Sequence, residues 1–415
     1  MTDLRAAARD AWLYTLPLIE IAAVRTRGQS VGSAMNVFAA MRNLADHRQR
    51  TVTTPNNDTL YATAQLDLSN GPVTLTLPAS GDRYVSLQLM DAYSNSFAVL
   101  GTRTTGPEGG VFTLVGPEEA AQGRNVIRAP TAHVWALARI LVDGPHDLNA
   151  ARIVQGGFSA QGPEVPPATP FARRSDGWAD YFASADALMA ANRPPVTDLA
   201  LLRRIAALGI GEGRFDPARF SPAEAAEIEA GVEDARKAVR GGGGLSGNTF
   251  IDGWAYPAAR LGDFGQDYGF RAVVALGGLA ALPLVEATYL RATPFAGAGG
   301  VFDGTKSWRL HLPADRQIPV DSFWSLSLYE VTPERQFFFT DNPLNRYAIG
   351  DRTPGLTWND DGSLDLWISH ERPDPAREAN WLPAPAGPFA LFMRGYLPRP
   401  ELLDGRYRLP AVVEV

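Results

Sequence analysis

Apolar and polar residues alternate along many short segments of this chain, and a period of two is typical of strands with one buried face. The clearest segment spans residues 59–68, where leucines and alanines at even positions alternate with Tyr61, Thr63, Gln65 and Asp67. The pattern predicts a strand that buries its even positions and presents Tyr61 and Gln65 on the other face. Further strands are predicted at 73–77, 84–90, 97–102, 111–115, 133–142, 308–312, 323–329, 364–369 and 389–396.

Helical patterns replace this alternation at the start and in the middle of the chain. Residues 1–25 predict an amphipathic helix with a bend at Pro17. In the helical section around 177–240, the run Ser221-Pro222-Ala223-Glu224 is a capping box with proline at the first helical position. Another helix is predicted at about 266–291. We therefore expect two β-rich parts with a helical section between them.

Composition excludes several classes of function. The chain has 38 Lys and Arg against 45 Asp and Glu, a formal net charge of −7, so nucleic acid and anionic membrane surfaces are poor partners. It has no cysteine, and its 5 histidines are not spaced as metal ligands, so we expect no metal. No apolar stretch of about 20 residues predicts a membrane span. The first 25 residues do not fit a signal peptide, which predicts a cytoplasmic protein, or a periplasmic or secreted one if a leader has been removed.

The turn at 54–61, Thr-Pro-Asn-Asn-Asp-Thr-Leu-Tyr, is the richest candidate for chemistry. Asn56, Asn57 and Asp58 can form a polar cradle, with Asp58 as a general base and Tyr61 as the acid. The same amide and carboxylate groups can instead satisfy the backbone of the turn, which is the more frequent role of such residues.

A second group lies at the ends of the strand predicted at 84–90. Arg83 can bind an anion beside Asp91, Tyr93 and Asn95, with Asp91 as a base and Tyr93 as an acid. Alternatively, an arginine–aspartate ion pair fastens the hairpin. Arg103 follows the next strand, where it either joins the same ligand or belongs to a glycine-terminated turn.

Candidate binding residues recur near the end of the chain. Trp381 heads a proline-rich loop, where it can stack on a sugar ring or plug the end of a sheet. Arg394 and Tyr396 share one face of the last predicted strand. An inward-facing arginine needs a carboxylate, and we expect Asp58 or Asp91 to supply it, either for a ligand site or to lock the two halves together.

Two sets of motifs resemble a known family. The first set comprises Thr54-Pro55-Asn56-Asn57-Asp58-Thr59-Leu60-Tyr61, Asp91-Ala92-Tyr93-Ser94-Asn95-Ser96-Phe97 and Gly101-Thr102-Arg103-Thr104-Thr105-Gly106. The second comprises Phe323-Trp324-Ser325-Leu326-Ser327-Leu328-Tyr329, Asp341-Asn342-Pro343-Leu344-Asn345-Arg346-Tyr347, Asp361-Gly362-Ser363, Asn380-Trp381-Leu382-Pro383-Ala384-Pro385 and Leu403-Asp404-Gly405. By the first set, the first part of the chain resembles domain of unknown function 1254, and by the second set the last part resembles its usual companion, domain of unknown function 1214.

The resemblance covers nearly the whole chain and implies its architecture. We expect a mainly β fold with α segments, in which two β-sandwich, jelly-roll-like domains are joined by a helical section. Residues 1–165 would form the N-terminal helix and first sandwich, 166–300 the helical section, and 301–415 the C-terminal sandwich. The family name carries no settled chemistry.

Two hypotheses for function follow. The first is an enzyme, a lyase or hydrolase, that acts on a small polar or carbohydrate-like substrate by acid–base catalysis without an organic cofactor. The second is a non-catalytic module that binds a glycan or a protein, since sandwiches and jelly rolls host lectins as readily as enzymes. A deep pocket with buried carboxylates favours the enzyme, and a shallow aromatic strip around Trp381 favours the module. Self-association into a homo-oligomer is left open.

Overall fold

A computed structural model describes residues 3–166, 171–241, 245, 247–294 and 300–415 of the chain. The fold is mixed α/β, with about 28% strand and 27% helix arranged in several sheets and a helical layer. The fraction of helix is larger than expected for the mainly β fold that the sequence predicts. The helices are α1 (Leu4–Ser30), α2 (Leu148–Gly156), α3 (Trp178–Ala191), α4 (Leu199–Ile205), α5 (Pro222–Gly241), α6 (Tyr268–Gly277) and α7 (Pro400–Leu403).

The long first helix is the centre of the helical layer. α1 packs against α3, α4, α5 and α6, and they share a core that includes Trp12, Tyr14, Tyr181 and Phe182. Pro17 lies inside α1, and no helix in the described part of the chain is long and apolar enough to cross a membrane. The first helix therefore packs with the helices of the middle section, and the division into three domains stays a prediction.

The predicted start of one helix is confirmed, and the predicted end of another is wrong. α5 begins at Pro222, and the backbone N–H of Ser221 donates to the Glu224 carboxylate at 2.9 Å, as a capping box requires. The helix predicted at 266–291 is wrong in its second half, because α6 ends at Gly277 and a strand begins at Ala287. Two adjacent glycines followed by Pro283 oppose the helix there, since glycine loses backbone entropy and proline lacks an N–H.

The N-terminal half contains two sheets. One has the order β1-β2-β8-β4-β5 and the other β7-β6-β3-β9. Their inner faces share one hydrophobic core, to which the even positions of 60–68 contribute as predicted. The strands are β1 (Ala39–Met41), β2 (Thr59–Asp67), β3 (Val73–Leu77), β4 (Val85–Asp91), β5 (Ser96–Gly101), β6 (Gly110–Val115), β7 (Val126–Arg128), β8 (His133–Leu141) and β9 (Ser159–Gln161).

The C-terminal half also contains two sheets around one core. The larger sheet runs β10-β11-β12-β20-β15-β16, with β13 beside β20 and β17 beside β15, and the smaller runs β19-β18-β14-β21. The strands are β10 (Thr249–Ile251), β11 (Trp254–Tyr256), β12 (Ala287–Ala292), β13 (Phe302–Asp303), β14 (Trp308–Leu312), β15 (Val320–Val331), β16 (Phe337–Phe338), β17 (Ala348–Gly350), β18 (Leu364–Ser369), β19 (Trp381–Pro383), β20 (Pro388–Pro398) and β21 (Val412–Glu414).

The two halves meet through the second faces of their larger sheets. Tyr84 and Leu141 at one end of the N-terminal sheet pack in one cluster with Phe323 and Tyr396 of the C-terminal sheet. The rings of Phe323 and Tyr396 stack with their centroids 4.2 Å apart, and Tyr84 meets both edge to face. This aromatic contact holds the polar positions of both sheets against each other.

Candidate functional site

Strand register aligns polar side chains within each half, and burial, Tyr289 and, from the other half, Tyr61 all raise the pKa of Tyr396. In the C-terminal sheet, Tyr289, Arg394 and Ser325 are cross-strand neighbours in one row. In the N-terminal sheet, Tyr61 pairs with Arg139. We call the following set the inter-sheet cluster: Asn56, Asp58, Tyr61, Arg139, Tyr289, Ser325, Asp351, Arg352, Arg394 and Tyr396.

Asp58 is the carboxylate at the centre of this contact. It is only 7% exposed and accepts a hydrogen bond from the Ser325 hydroxyl at 2.7 Å. Arg352 lies 3.6 Å from its other oxygen and stacks over the Phe323 ring, with the guanidinium carbon 4.2 Å from the ring centre. Asp58 is therefore a buried, ordered carboxylate beside a partly exposed arginine.

Asp351 adds a second carboxyl group beside Asp58. It directly follows β17, and its side chain is 30% exposed. Burial raises the pKa of Asp351 to about 6, the negative charge of Asp58 adds to the rise, and Arg352 opposes it. A carboxyl group that titrates near neutrality can give or take a proton at physiological pH.

The 54–61 turn is docked onto the C-terminal sheet by its backbone. Arg394, which is 4% exposed, donates to the carbonyl oxygens of Thr54 and Pro55 at 3.1 and 3.3 Å, and also to the Ser327 hydroxyl. The Tyr329 hydroxyl donates to Pro55 O at 2.6 Å. The carboxylate expected for Arg394 is thus replaced largely by backbone carbonyls, although the charge of Asp58 still acts on it.

Asn56 links the turn to the last long strand. Its side-chain nitrogen donates to the Tyr396 hydroxyl at 2.7 Å, and its side-chain oxygen accepts from the Asp58 N–H at 2.6 Å. The second bond is the turn-stabilising role considered for this residue. Burial raises the pKa of Tyr396 well above 10, so this phenol stays protonated.

Tyr61 is a phenol whose hydroxyl has no hydrogen-bond partner among the described residues. Its ring is half-buried, and Arg139 lies over it with the guanidinium carbon 5.5 Å from the ring centre. Within the described ranges, no hydrogen bond involves its hydroxyl. Arg139 itself is held by Gln88 at 2.8 Å and by the Ala280 carbonyl at 2.6 Å. Tyr61 is therefore positioned by a buried cation, with its oxygen available to a ligand.

The 91–95 turn faces a different hollow. Asp91 accepts from the backbone N–H groups of Tyr93 and Asn95, each at 2.9 Å, and from the Asn95 amide at 3.0 Å. Burial raises the pKa of Asp91 above its usual value. The Tyr93 hydroxyl donates to the Asn192 carbonyl at 2.7 Å. Asn95 lines a hollow whose lining contains no member of the inter-sheet cluster, so the structure separates these residues from Asp58 and Tyr61.

The arginines predicted to share a ligand are engaged with different carboxylates. Arg83 forms a two-point ion pair with Asp147, at 2.5 and 2.6 Å, which is not the hairpin pair with Asp91 considered for it. Arg103 donates to the buried Glu286 at 2.6 Å. They do not form one anion clamp with the 91–95 turn.

The remaining candidates make contacts within the chain. Asn57 donates to the Ala45 carbonyl at 2.5 Å. Trp381 is 1% exposed and donates to the Ser369 carbonyl at 3.1 Å, which fits a plug at the end of the sheet. An aromatic strip presented to solvent by Trp381 is absent.

Sequence reasoning missed Arg139, Tyr289, Asp351 and Arg352. Arg139 is the one charged residue in the run His133–Leu141 between otherwise apolar and aromatic positions, and that signal could have singled it out. Asp351 and Arg352 follow a strand of three residues, which is too short for periodicity to detect. Among the described residues, no group of three His, Asp or Glu side chains is placed to hold a metal ion.

Comparisons with known proteins agree with the two-part architecture. The family described as "Protein of unknown function (DUF1254)" matches residues 35–162, and "Protein of unknown function (DUF1214)" matches 286–400. No curated protein matches the chain.

Two solved structures are similar to this chain. The crystal structure of the VPA0106 protein from Vibrio parahaemolyticus is 23% identical and superposes with a TM-score of 0.74 over 99% of this chain and 100% of that one. An uncharacterised protein from Burkholderia cenocepacia is 13% identical, with a TM-score of 0.48 over 97% of this chain and 87% of that one. The Vibrio protein and this chain therefore share one fold over nearly their whole lengths. The chain belongs to the two-domain family that combines domain of unknown function 1254 with domain of unknown function 1214.

Proposed function

We propose that the protein is an enzyme that acts by acid–base catalysis, as a lyase or hydrolase, on a small polar or carbohydrate-like substrate bound at the inter-sheet cluster. The observation that carries the proposal is the contact of Asp58, from the N-terminal half of the chain, with Asp351 and Arg352, from the C-terminal half. Residues that merely hold two sheets together need neither a carboxyl group with a pKa near 6 nor a phenol whose hydroxyl has no partner among the described residues.

The roles follow from position and protonation. Asp58 is the base, because it is buried, ordered by Ser325 and close to a cation. Asp351, whose pKa is raised to about 6, passes a proton to or from the reacting group. Tyr61 donates a hydrogen bond to the substrate, and Arg352 neutralises negative charge that develops on it.

The proposal includes the sandwich arrangement expected for each half. It is supported by the two cores, each of which is built from the inner faces of two sheets. Ligand sites are often found at domain interfaces, and we therefore place the substrate at the contact between the halves.

The alternative is a non-catalytic binding module in which the cluster only fastens the halves. It is supported by the bonds that Asn56, Arg394 and Asp58 make within the chain. The buried Trp381 removes the aromatic strip on which glycan binding was expected to rest.

The test is turnover of polysaccharides rich in uronic acids and of small hydroxy acids by the full chain. Ultraviolet absorbance of unsaturated products detects a lyase, and newly formed reducing ends detect a hydrolase. The variants are Tyr61→Phe, Asp58→Asn and Asp351→Asn. We expect each to lower turnover by about 10²–10⁴-fold, the usual contribution of a general acid or base.

Asp143→Asn is the matched control. Asp143 lies 3.8 Å from the same Arg352, yet its side chain is 60% exposed and outside the cluster, so its removal should leave turnover unchanged. Tyr61→Phe should also leave the melting temperature unchanged, because the lost hydroxyl has no partner among the described residues. If Tyr61→Phe and Asp351→Asn turn over every responsive substrate like the unaltered protein, the catalytic roles are wrong.

A further inference from the structure

A second hollow lies between the 91–95 turn and the start of α6. Its volume is about 700 Å³, and its lining includes Asn95, Asp198, Arg260, Asp263 and Arg271. Arg260 and Asp263 are exposed at the rim, whereas Asp198 and Arg271 are 2% and 1% exposed. The hollow thus has a charged mouth and a charged, desolvated floor.

Three aromatic rings surround Arg271 on the floor. Its guanidinium carbon lies 5.1, 5.6 and 5.2 Å from the ring centres of Tyr14, Tyr93 and Tyr268. The hydroxyls of Tyr14 and Tyr268 both donate to Asp198, each at 2.9 Å, so the rings are fixed. The guanidinium plane is therefore oriented before any ligand arrives.

The hydrogen-bonding capacity of Arg271 is almost unused. A guanidinium carries five N–H donors. Among the described residues, the one hydrogen bond that Arg271 makes reaches the Tyr14 carbonyl at 3.5 Å, and its Nε is buried without a partner there. No ion pair joins it to a carboxylate in the part of the chain that the structure describes. The charge of the buried Asp91 acts on Arg271, but no hydrogen bond joins the two side chains among the described residues, so an anion that enters the hollow can pair with the unused donors of the guanidinium.

The acidic lining restricts which anion fits. Asp198, Asp263 and Asp267 face the same hollow, and a doubly charged phosphate would be repelled by them. A single carboxylate pairs with Arg271 in the planar, two-point manner that guanidinium favours. Ligand hydroxyl or ammonium groups would then satisfy the acidic oxygens at the rim.

We propose that this hollow binds a small organic acid that carries one carboxylate on Arg271 and hydroxyl or ammonium donors toward Asp263. The site is independent of the proposed catalytic cluster, because the two share no residue. Asn95, one of the candidate residues identified from the sequence, lines this hollow.

The test is calorimetric titration of the full chain with gluconate, threonine and inorganic phosphate as separate probes. Gluconate supplies hydroxyl donors and threonine an ammonium group, so the pair distinguishes the two ligand sources. We expect either gluconate or threonine to bind. Arg271→Met should lower the affinity for that probe by about ten- to a hundredfold, as expected for the loss of hydrogen bonds to a charged group. Arg271→Lys should restore only part of the affinity, since lysine cannot form the two-point contact.

Arg25→Met is the matched control, because Arg25 is also a buried arginine over an aromatic ring but does not line the hollow. It should bind the probe like the unaltered chain. Asp263→Asn should weaken threonine more than gluconate if the ammonium form is the ligand. Binding of phosphate alone, binding that Arg271→Met does not change, or no binding of any probe would each overturn the proposal.

Discussion

Ser325→Ala removes the hydroxyl that donates to Asp58 across the contact between the two halves. The bond is 2.7 Å long, and the two residues are 1% and 7% exposed. Hydrogen bonds to charged groups contribute about 1.5–3 kcal/mol, and little water is available to replace this one. We therefore expect the free energy of unfolding to fall by about 1.5–3 kcal/mol.

The assay is urea unfolding of Ser325→Ala, Asp58→Asn and the double variant, followed by tryptophan fluorescence and circular dichroism together. Coincident transitions in both signals show that one free energy describes the unfolding. Because the two side chains are in contact, their effects should not add, and the double-mutant cycle should give a coupling of about 1 kcal/mol or more.

Ser322→Ala is the control on the same strand, since Ser322 is half-buried and makes no side-chain hydrogen bond among the described residues. Its stability should stay within about 0.5 kcal/mol of the unaltered chain. A loss in Ser325→Ala no larger than in this control, together with zero coupling, would refute the described contact of Asp58.

The remaining predictions concern pH, a helix start and a tight strand contact. Because the pKa of Asp351 is raised from 3.8 to about 6, the folded state holds the proton of Asp351 more tightly than the unfolded state. The contribution of this group to stability is therefore complete below pH 3.8 and is lost as the pH rises through 6. In urea unfolding, the difference in free energy of unfolding between the unaltered chain and Asp351→Asn should change between these pH values, and a difference that does not depend on pH would contradict the assignment. Ser221→Ala should lower the free energy of unfolding by about 1 kcal/mol through loss of the bond to Glu224, and an unchanged urea midpoint would count against the capping box. Gly101→Ala should lower the melting temperature strongly, because φ is 131° and a Cβ would lie 2.1 Å from the Val85 carbonyl oxygen; a wild-type melting temperature would contradict that geometry.

Local patterns predict most of the N-terminal strands. The strand predicted at 59–68 is β2 (Thr59–Asp67), and the one at 73–77 is β3 with identical bounds. Alternation also places Tyr61 on the face opposite Leu60, as observed, because side-chain direction in a strand depends only on position. The end of α6 was missed, since the pattern continued into residues that form β12.

The site could be predicted only in part. Composition of the 54–61 turn indicates a polar site, and the resemblance points to the same residues. Nothing local indicates that Asp58 meets Ser325, which is 267 residues away, or that Asn56 meets Tyr396, 340 residues away. Likewise the pKa of Asp351 depends on burial, which the whole fold produces.

The most direct measurement of the central claim is a crystal structure of Asp58→Asn grown with the substrate that the turnover panel identifies. We predict ligand density against Tyr61, Asp351 and Arg352, at the contact between the two larger sheets. Density bound elsewhere, with the Tyr61 hydroxyl closed off by the chain, would contradict it.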